Sequence, residues 1–85
     1  KGFNQAVAAR RAGAPTTFQC ALGDDAGGAM ARGLAEQDGF AQSAEASTEP
    51  TGTGGISVDS RGRNTIVIGP GANAALSPAY IDQQR

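Results

Sequence analysis

Few side chains in this sequence are suited to chemistry. There is no histidine, so catalytic triads and zinc sites built on imidazole are excluded. The one cysteine, Cys20, lies in a mostly apolar run, where a buried, unreactive thiol is more common than a nucleophile. A single cysteine also rules out a disulfide within the chain and is consistent with a reducing compartment.

Asp24 and Asp25 form a pair of adjacent carboxylates just before a predicted helix. Either one can accept a hydrogen bond from a free backbone N–H at the start of that helix, where negative charge is favourable. The pair could instead bind Mg²⁺, but no third oxygen ligand lies nearby in the sequence. We therefore favour helix capping over a metal site.

Residues 69–74, GPGANA, match the glycine pattern of dinucleotide-binding loops. Three features oppose that function. Pro70 has no N–H to donate to a pyrophosphate, the next helix begins only at Ser77, and the chain has no acidic residue about 20 positions further on. A nucleotide-binding fragment is therefore a weak alternative.

The clearest local structure is a predicted β-hairpin between residues 51 and 68. The β-branched run 65–68 predicts a strand over 63–68, and the turn formers of 59–62 connect it to a first strand with Gly54 and Ile56 on one face. Glycines at 52, 54 and 55 are unusual there, because glycine in a strand loses much conformational entropy and packs no side chain. They indicate close approach of a ligand or another backbone, or else a weak edge strand.

The first part of the chain predicts helices alternating with a strand. Asn4 is the expected N-cap of a helix that ends at Gly13. A strand over 16–22 and a helix over 26–37 follow, and Met30 and Leu34 are expected to face the core from that helix.

Residues 37–50 are polar, acidic and end in proline, which predicts a surface connection with Phe40 as its buried anchor. After the glycine-rich loop, Ser77 as N-cap and Pro78 at the first helical position predict a terminal helix. The alternation of helices and strands indicates an α/β protein.

Composition bounds the size and partners of the protein. Eighty-five residues suffice for one small domain, and with many alanines and three phenylalanines its core is thin, which indicates a missing partner or a segment of a longer chain. The net charge of −1 leaves no basic patch for nucleic acid. No apolar stretch approaches the roughly 20 residues that span a membrane, so we expect a soluble, cytoplasmic protein.

Several motifs occur together in an order typical of one family. They are Lys1-Gly2-Phe3-Asn4-Gln5-Ala6, Gly13, Gly23-Asp24-Asp25, Thr51-Gly52, Asn64 and Gly71-Ala72-Asn73-Ala74-Ala75-Leu76. In this respect the sequence resembles the front half of the ribokinase-like (PfkB) sugar kinases over essentially its whole length. The resemblance implies a partial ribokinase-like fold of βαβα units plus a β-hairpin lid.

The resemblance also implies a function and a division of the chain. Residues 1–50 would belong to the α/β substrate-side core, 51–68 to the lid, and 69–85 to a glycine-rich loop and the start of a helix. The parent enzyme would transfer the γ-phosphoryl group of ATP to the 5-hydroxyl of ribose, with Mg²⁺ and a monovalent cation such as K⁺, as a homodimer paired through its lid. Lys1 and Asn4 match family positions that bind sugar hydroxyls, and Gly54 and Ile56 match lid positions that line the sugar site.

The resemblance assigns no catalytic or metal-binding residue to this segment. The family's catalytic base and anion hole lie in its C-terminal half. Phe3 and Gly54 depart from the residues usual at their positions, which leaves the choice of sugar open. A second function class is a non-catalytic binding or dimerisation module that uses the exposed hairpin edge.

Overall fold

A computed structural model describes residues 1–84. Within that range the elements are α1 (Gly2–Arg11), β1 (Thr17–Gly23), α2 (Ala26–Asp38), β2 (Ala41–Ser47), β3 (Thr53–Val58), β4 (Asn64–Gly69), a 3-10 helix (Gly71–Ala75) and α3 (Pro78–Gln83). The predicted α/β class is confirmed.

The prediction of a surface connection over residues 37–50 is wrong for most of that segment. Residues 41–47 form β2, which pairs in parallel with β1 so that Thr17 lies opposite Ala41 and Gly23 opposite Ser47. The segment is polar and contains no β-branched residue before Thr48, so its own preference for a strand is weak. Pairing with the backbone of β1 makes it a strand, and β1–α2–β2 is a βαβ unit.

The first helix begins earlier than predicted, so Asn4 is not its N-cap. The N-cap is Lys1, whose side chain makes no capping hydrogen bond, while its carbonyl oxygen accepts from the Gln5 N–H at 3.0 Å. Asn4 lies inside the first turn. The predicted end is close to the observed one, since α1 ends at Arg11 and Gly13 follows with a φ of 95°.

The second helix is capped as predicted but faces the sheet with different residues. Asp25 is the N-cap, and its Oδ1 accepts from the Gly28 N–H at 2.8 Å. The predicted core stripe is wrong, because Met30 is 66% and Leu34 41% exposed. Gly28 and Ala35 are the buried residues of α2, since Gly28 lies against the Gly23 carbonyl at the end of β1 and Ala35 packs in a cluster with Ala6 and Phe40.

A small aromatic cluster holds the two helices on one face of the sheet. Ala6, Ala35 and Phe40 form its buried centre, with Phe3 and Phe18 packed against it. The rings of Phe3 and Phe18 meet edge to face at 6.0 Å, and those of Phe3 and Phe40 at 5.6 Å. The predicted burial of Phe40 is confirmed at 5% exposure.

The C-terminal elements cover the opposite face. Phe18 pairs with Gln42, so Ser43 points away from the aromatic cluster, and its Oγ lies 2.6 Å from the Tyr80 hydroxyl of α3. The predicted cap is confirmed, since Ser77 Oγ accepts from the Tyr80 N–H at 3.1 Å. Ser77 also donates its N–H to Glu45 of β2 at 3.0 Å, which fixes the start of α3 on the sheet.

The predicted hairpin is present and projects from this body. β3 and β4 are antiparallel, with Ile56 opposite Ile66 and Gly54 opposite Ile68. At the turn, Asp59 accepts from the backbone of Arg61 and Arg63 and forms an ion pair with the Arg63 side chain at 2.7 Å. Every residue of both strands is exposed, so the hairpin contributes nothing to the core.

Candidate functional site

A cavity of about 460 Å³ lies beside β1, between the start of α1 and the base of the hairpin. It is lined by residues from four regions: Lys1, Gly2 and Phe3; residues 18–22; Ala31 and Gln42; and Gly52, Asn73 and Leu76. Its walls combine apolar side chains with an ammonium group and several amides. This composition suits a small polar ligand that also presents carbon surface.

The N-terminal wall is positioned by the aromatic cluster. Phe3 is fixed between Phe18 and Phe40, and Gly2 lies so close to Phe18 that a Cβ would be 3.1 Å from its ring. These contacts hold the start of α1 on the sheet. Lys1 precedes the helix, is exposed and lines the cavity.

The opposite wall is the junction of the hairpin with the body. Gly52 lies directly against the side-chain amide of Asn73, so a Cβ at position 52 would overlap that amide. The Ala72 N–H donates to the carbonyl oxygen of Pro50 at 2.7 Å, which fixes the end of β4 beside the start of β3. Gly52 and Asn73 are therefore placed at the cavity by contacts between the two ends of the hairpin.

Gln42 of β2 is a cavity residue with an unused donor. Its Nε2 is buried and has no hydrogen-bond partner in the part of the chain that the structure describes. A buried amide donor without a partner costs free energy. Sequence reasoning missed Gln42 because its segment lacks a strand signal, and it assigned Asn73 no role although Asn73 lies in the GANAAL motif.

The four predicted sugar-site residues do not all line this cavity. Lys1 lines the cavity. Asn4 is exposed in the first turn of α1 and does not line it. Gly54 and Ile56 share one exposed face of the hairpin, beyond the cavity. Nothing in the arrangement tests the roles assigned to them, which remain predictions.

Asp25 uses its carboxylate to hold the chain together. Its Oδ1 accepts from the Gly28 N–H and, at 2.6 Å, from the Thr51 hydroxyl, and its Oδ2 accepts from the Thr51 N–H at 2.7 Å. These bonds hold the pKa of Asp25 below its ordinary value, and the bond from the Thr51 hydroxyl has the largest effect. Because both oxygens are engaged, Asp25 is a cap and a cross-link, and the alternative of a magnesium ligand is not favoured.

The glycine-rich loop is also engaged within the chain. The N–H of Ala72 donates to Pro50 and that of Asn73 to Pro70 at 2.9 Å, so neither is free to bind phosphate. This geometry disfavours the nucleotide-binding alternative. Among residues 1–84, no group of three or more His, Cys, Asp or Glu side chains is arranged to hold a metal ion.

Cys20 is buried in β1 at 8% exposure, as predicted. Burial raises the pKa of its thiol, and the positive charge of Arg32 opposes that shift only in part. A thiol that stays protonated is a poor nucleophile. No helix in the described part of the chain is long and apolar enough to cross a membrane.

Comparison with known proteins gives a family match over the whole chain. The family model described as pfkB family carbohydrate kinase matches residues 1–85. The chain is 39% identical to the bifunctional ribokinase/ribose-5-phosphate isomerase A of Fructilactobacillus sanfranciscensis, covering 100% of this chain and 16% of that protein. It is 38% identical to the ribokinase of Haemophilus influenzae, covering 98% of this chain and 28% of that protein.

Solved structures of ribokinases are also similar to this chain. Ribokinase from Giardia lamblia superimposes with a TM-score of 0.86 at 33% identity, over 95% of this chain and 25% of that one. Ribokinase from Cryptococcus neoformans, solved in complex with ADP, gives a TM-score of 0.73 at 32% identity, over 84% of this chain and 23% of that one. The chain thus spans between a sixth and about a quarter of the length of these proteins.

Proposed function

The chain belongs to the pfkB family of carbohydrate kinases, and we propose that it is the sugar-side and lid segment of an enzyme that transfers the γ-phosphoryl group of ATP to the 5-hydroxyl of ribose. Both sequence relatives described above carry ribokinase in their names, which supports ribose as the sugar. We further propose that residues 1–50 are part of the substrate-side core, 51–68 the lid and 69–85 the glycine-rich loop and start of a helix.

The cavity between α1 and the base of the hairpin is the observation that carries this proposal. Lys1 lines one wall and Gly52 the other, so a ligand there would contact both the body and the start of β3. A hairpin that projects from the body with every strand residue exposed is free to close over such a ligand.

Within the proposed site, Lys1 and Asn4 bind sugar hydroxyls. An ammonium group donates three hydrogen bonds, and an amide both donates and accepts, which matches hydroxyl groups that do the same. Gly54 and Ile56 close over the sugar from the lid. A glycine at position 54 leaves open space, since no atom lies within 4 Å of a Cβ built there.

ATP, Mg²⁺ and a monovalent cation such as K⁺ are the proposed cofactors of the whole enzyme. The ADP complex of the Cryptococcus neoformans ribokinase supports use of an adenine nucleotide. Residues 1–84 do not fit a metal site, because they lack a cluster of metal ligands and Asp25 is fully engaged. Magnesium would neutralise phosphate charge during transfer, and the residues that hold it are assigned to the rest of the enzyme.

We also propose that the whole enzyme is a cytoplasmic homodimer, and the hairpin supports the pairing of subunits. Ile56, Ile66 and Ile68 lie on one face of the two-stranded sheet and are 63%, 52% and 69% exposed. Exposed apolar surface and free strand edges are features of pairing surfaces. In the proposal the lids of two subunits pair through the free strand edges, which leaves Gly54 and Ile56 on the face that closes over the sugar. The non-catalytic dimerisation module remains the second candidate, favoured by this same surface.

The test is an ATP-dependent kinase assay of the full-length protein with ribose, fructose and adenosine as competing substrates. Ribose should give the highest kcat/KM, and sedimentation should show a dimer. Preference for another acceptor would overturn the choice of ribose, and a dimer with no kinase activity on any acceptor would favour the module. The isolated 85-residue chain should have no kinase activity, because a base, metal and phosphate cradle are needed together.

A further inference from the structure

Thr51 lies between β2 and β3, where the chain leaves the body and enters the hairpin. Its hydroxyl accepts from the Gly23 N–H at 2.9 Å and donates to Asp25 Oδ1 at 2.6 Å. Its own N–H donates to Asp25 Oδ2 at 2.7 Å. One residue at the hairpin base is thus tied by three hydrogen bonds to the end of β1 and the start of α2.

Asp25 makes more bonds than a cap requires. An N-cap needs one hydrogen bond to the first turn of its helix, and here the Gly28 N–H supplies it. The two bonds to Thr51 add nothing to capping. Their effect is to connect the hairpin base to the N-terminus of α2.

Close backbone packing supports the same connection. A Cβ at position 23 would lie 2.6 Å from the carbonyl oxygen of Glu49 and 2.7 Å from the nitrogen of Thr51, distances that real side chains do not show. A Cβ at position 27 would be 3.3 Å from the Cβ of Thr51. Residues 49–51 therefore lie directly on the turn between β1 and α2.

The segment that follows β4 also contacts the base of the hairpin. Pro50 accepts from the Ala72 N–H, and Gly52 lies against Asn73. Both strands are therefore held where they join the body, whereas residues 53–69 are exposed throughout. Gly52, next to Thr51, is also a wall of the cavity, so a shift of Thr51 would move that wall.

We propose that Asp25 and Thr51 are positioning residues that fix the pivot of the hairpin, and so set where the hairpin stands over the cavity when it closes on a ligand. This inference rests on the proposed sugar kinase function for its kinetic readout. Neither side chain lines the cavity, so both act through the backbone of residues 51 and 52.

The test compares Thr51→Val with Thr51→Ser in the full-length protein. Valine has nearly the shape of threonine without the hydroxyl and loses two of the three hydrogen bonds, whereas serine keeps the hydroxyl. Thr51→Val should raise the KM for the sugar about tenfold, from two lost bonds, with a smaller effect on the KM for ATP. Thr51→Ser should restore a KM close to that of the wild type.

A second pair of variants tests the carboxylate of Asp25. Asp25→Ser keeps a good N-cap residue but is too short to reach Thr51, so the sugar KM should rise, and any fall in melting temperature should match the loss of the two bonds to Thr51 and not the loss of the cap. Asp38→Asn at the other end of α2 is the matched control, because it alters a carboxylate that accepts two hydrogen bonds from Arg11, away from the hairpin and the cavity. That control should leave the sugar KM unchanged.

Hydrogen exchange supplies a readout that needs no kinase activity. In the protein without ligand, the amides of residues 49–53 should exchange several-fold faster in Thr51→Val and Asp25→Ser than in wild type and Thr51→Ser. An unchanged KM and unchanged exchange in folded Thr51→Val, or the same defect in Thr51→Ser, would overturn the pivot. If Thr51→Val does not fold, the sugar KM and the hydrogen exchange of Asp25→Ser decide whether the proposed pivot stands. A wild type without sugar kinase activity would overturn the proposed function, and exchange alone would then decide the pivot.

Discussion

Two glycines of α2 should respond in opposite ways to the same substitution. Gly28 is buried against β1, and a Cβ there would overlap the carbonyl oxygen of Gly23. Gly33 lies in the same helix and is exposed, with no atom within 4 Å of a Cβ. We therefore expect Gly28→Ala to destabilise the protein and Gly33→Ala to stabilise it.

The magnitudes follow from two competing terms. Replacing glycine by alanine inside a helix is worth about 0.5 to 1 kcal/mol in favour of the folded state, because alanine loses less backbone entropy. Gly33→Ala should realise that gain. At Gly28 the overlapping atom belongs to the backbone and cannot rotate away, so α2 must move from the sheet at the overpacking cost of about 1 to 3 kcal/mol. The net loss there is about 1 kcal/mol at the centre of these ranges and at most about 2.5 kcal/mol.

The assay is chemical unfolding of the full-length variants, followed by circular dichroism. The transition midpoint should move to lower denaturant for Gly28→Ala and to higher denaturant for Gly33→Ala, with the slopes unchanged. Equal midpoints for the two variants, or a more stable Gly28→Ala, would refute the close packing of α2 on β1 described above.

Three further outcomes test the site and the core. Gly54→Val should weaken ribose binding more than Gly55→Val, because Gly54 shares its face with Ile56; both have room for a side chain, so equal losses would refute the face assignment. Asn4→Ala should raise the ribose KM several-fold to tenfold without lowering the melting temperature, since Asn4 is not the N-cap, and an unchanged KM would remove it from the sugar site. Cys20 should react slowly with a thiol reagent in the native protein and fast in denaturant, because burial raises its pKa; fast native labelling would contradict its burial in β1.

The elements found from the sequence are those whose signals are local. The β-branched run before Gly69 and the turn formers around Gly62 predict the hairpin without help from the rest of the chain. Ser77 and Pro78 mark the start of α3, and Asp25 marks that of α2, because a cap interacts with backbone only a few residues away. The same locality made the family motifs recognisable.

Which residues line the site depends on contacts between distant segments, and local sequence patterns do not predict those contacts. Gln42 reaches the cavity only because residues 41–47 pair with β1, and Asn73 only because the ends of the hairpin pack on each other. Neither pairing leaves a pattern in its own segment.

Tertiary packing also reversed one expectation and created one connection. Met30 and Leu34 have the spacing of a core stripe, but the fold buries Gly28 against the end of β1 and Ala35 in the cluster with Ala6 and Phe40 instead. The sequence by itself predicted that one of the adjacent aspartates, Asp24 or Asp25, would cap α2, and the structure assigns the cap to Asp25. That the same carboxylate also binds Thr51, 26 residues further along, was decided only by the fold, because parallel pairing of β2 with β1 brings the hairpin base back to the start of α2.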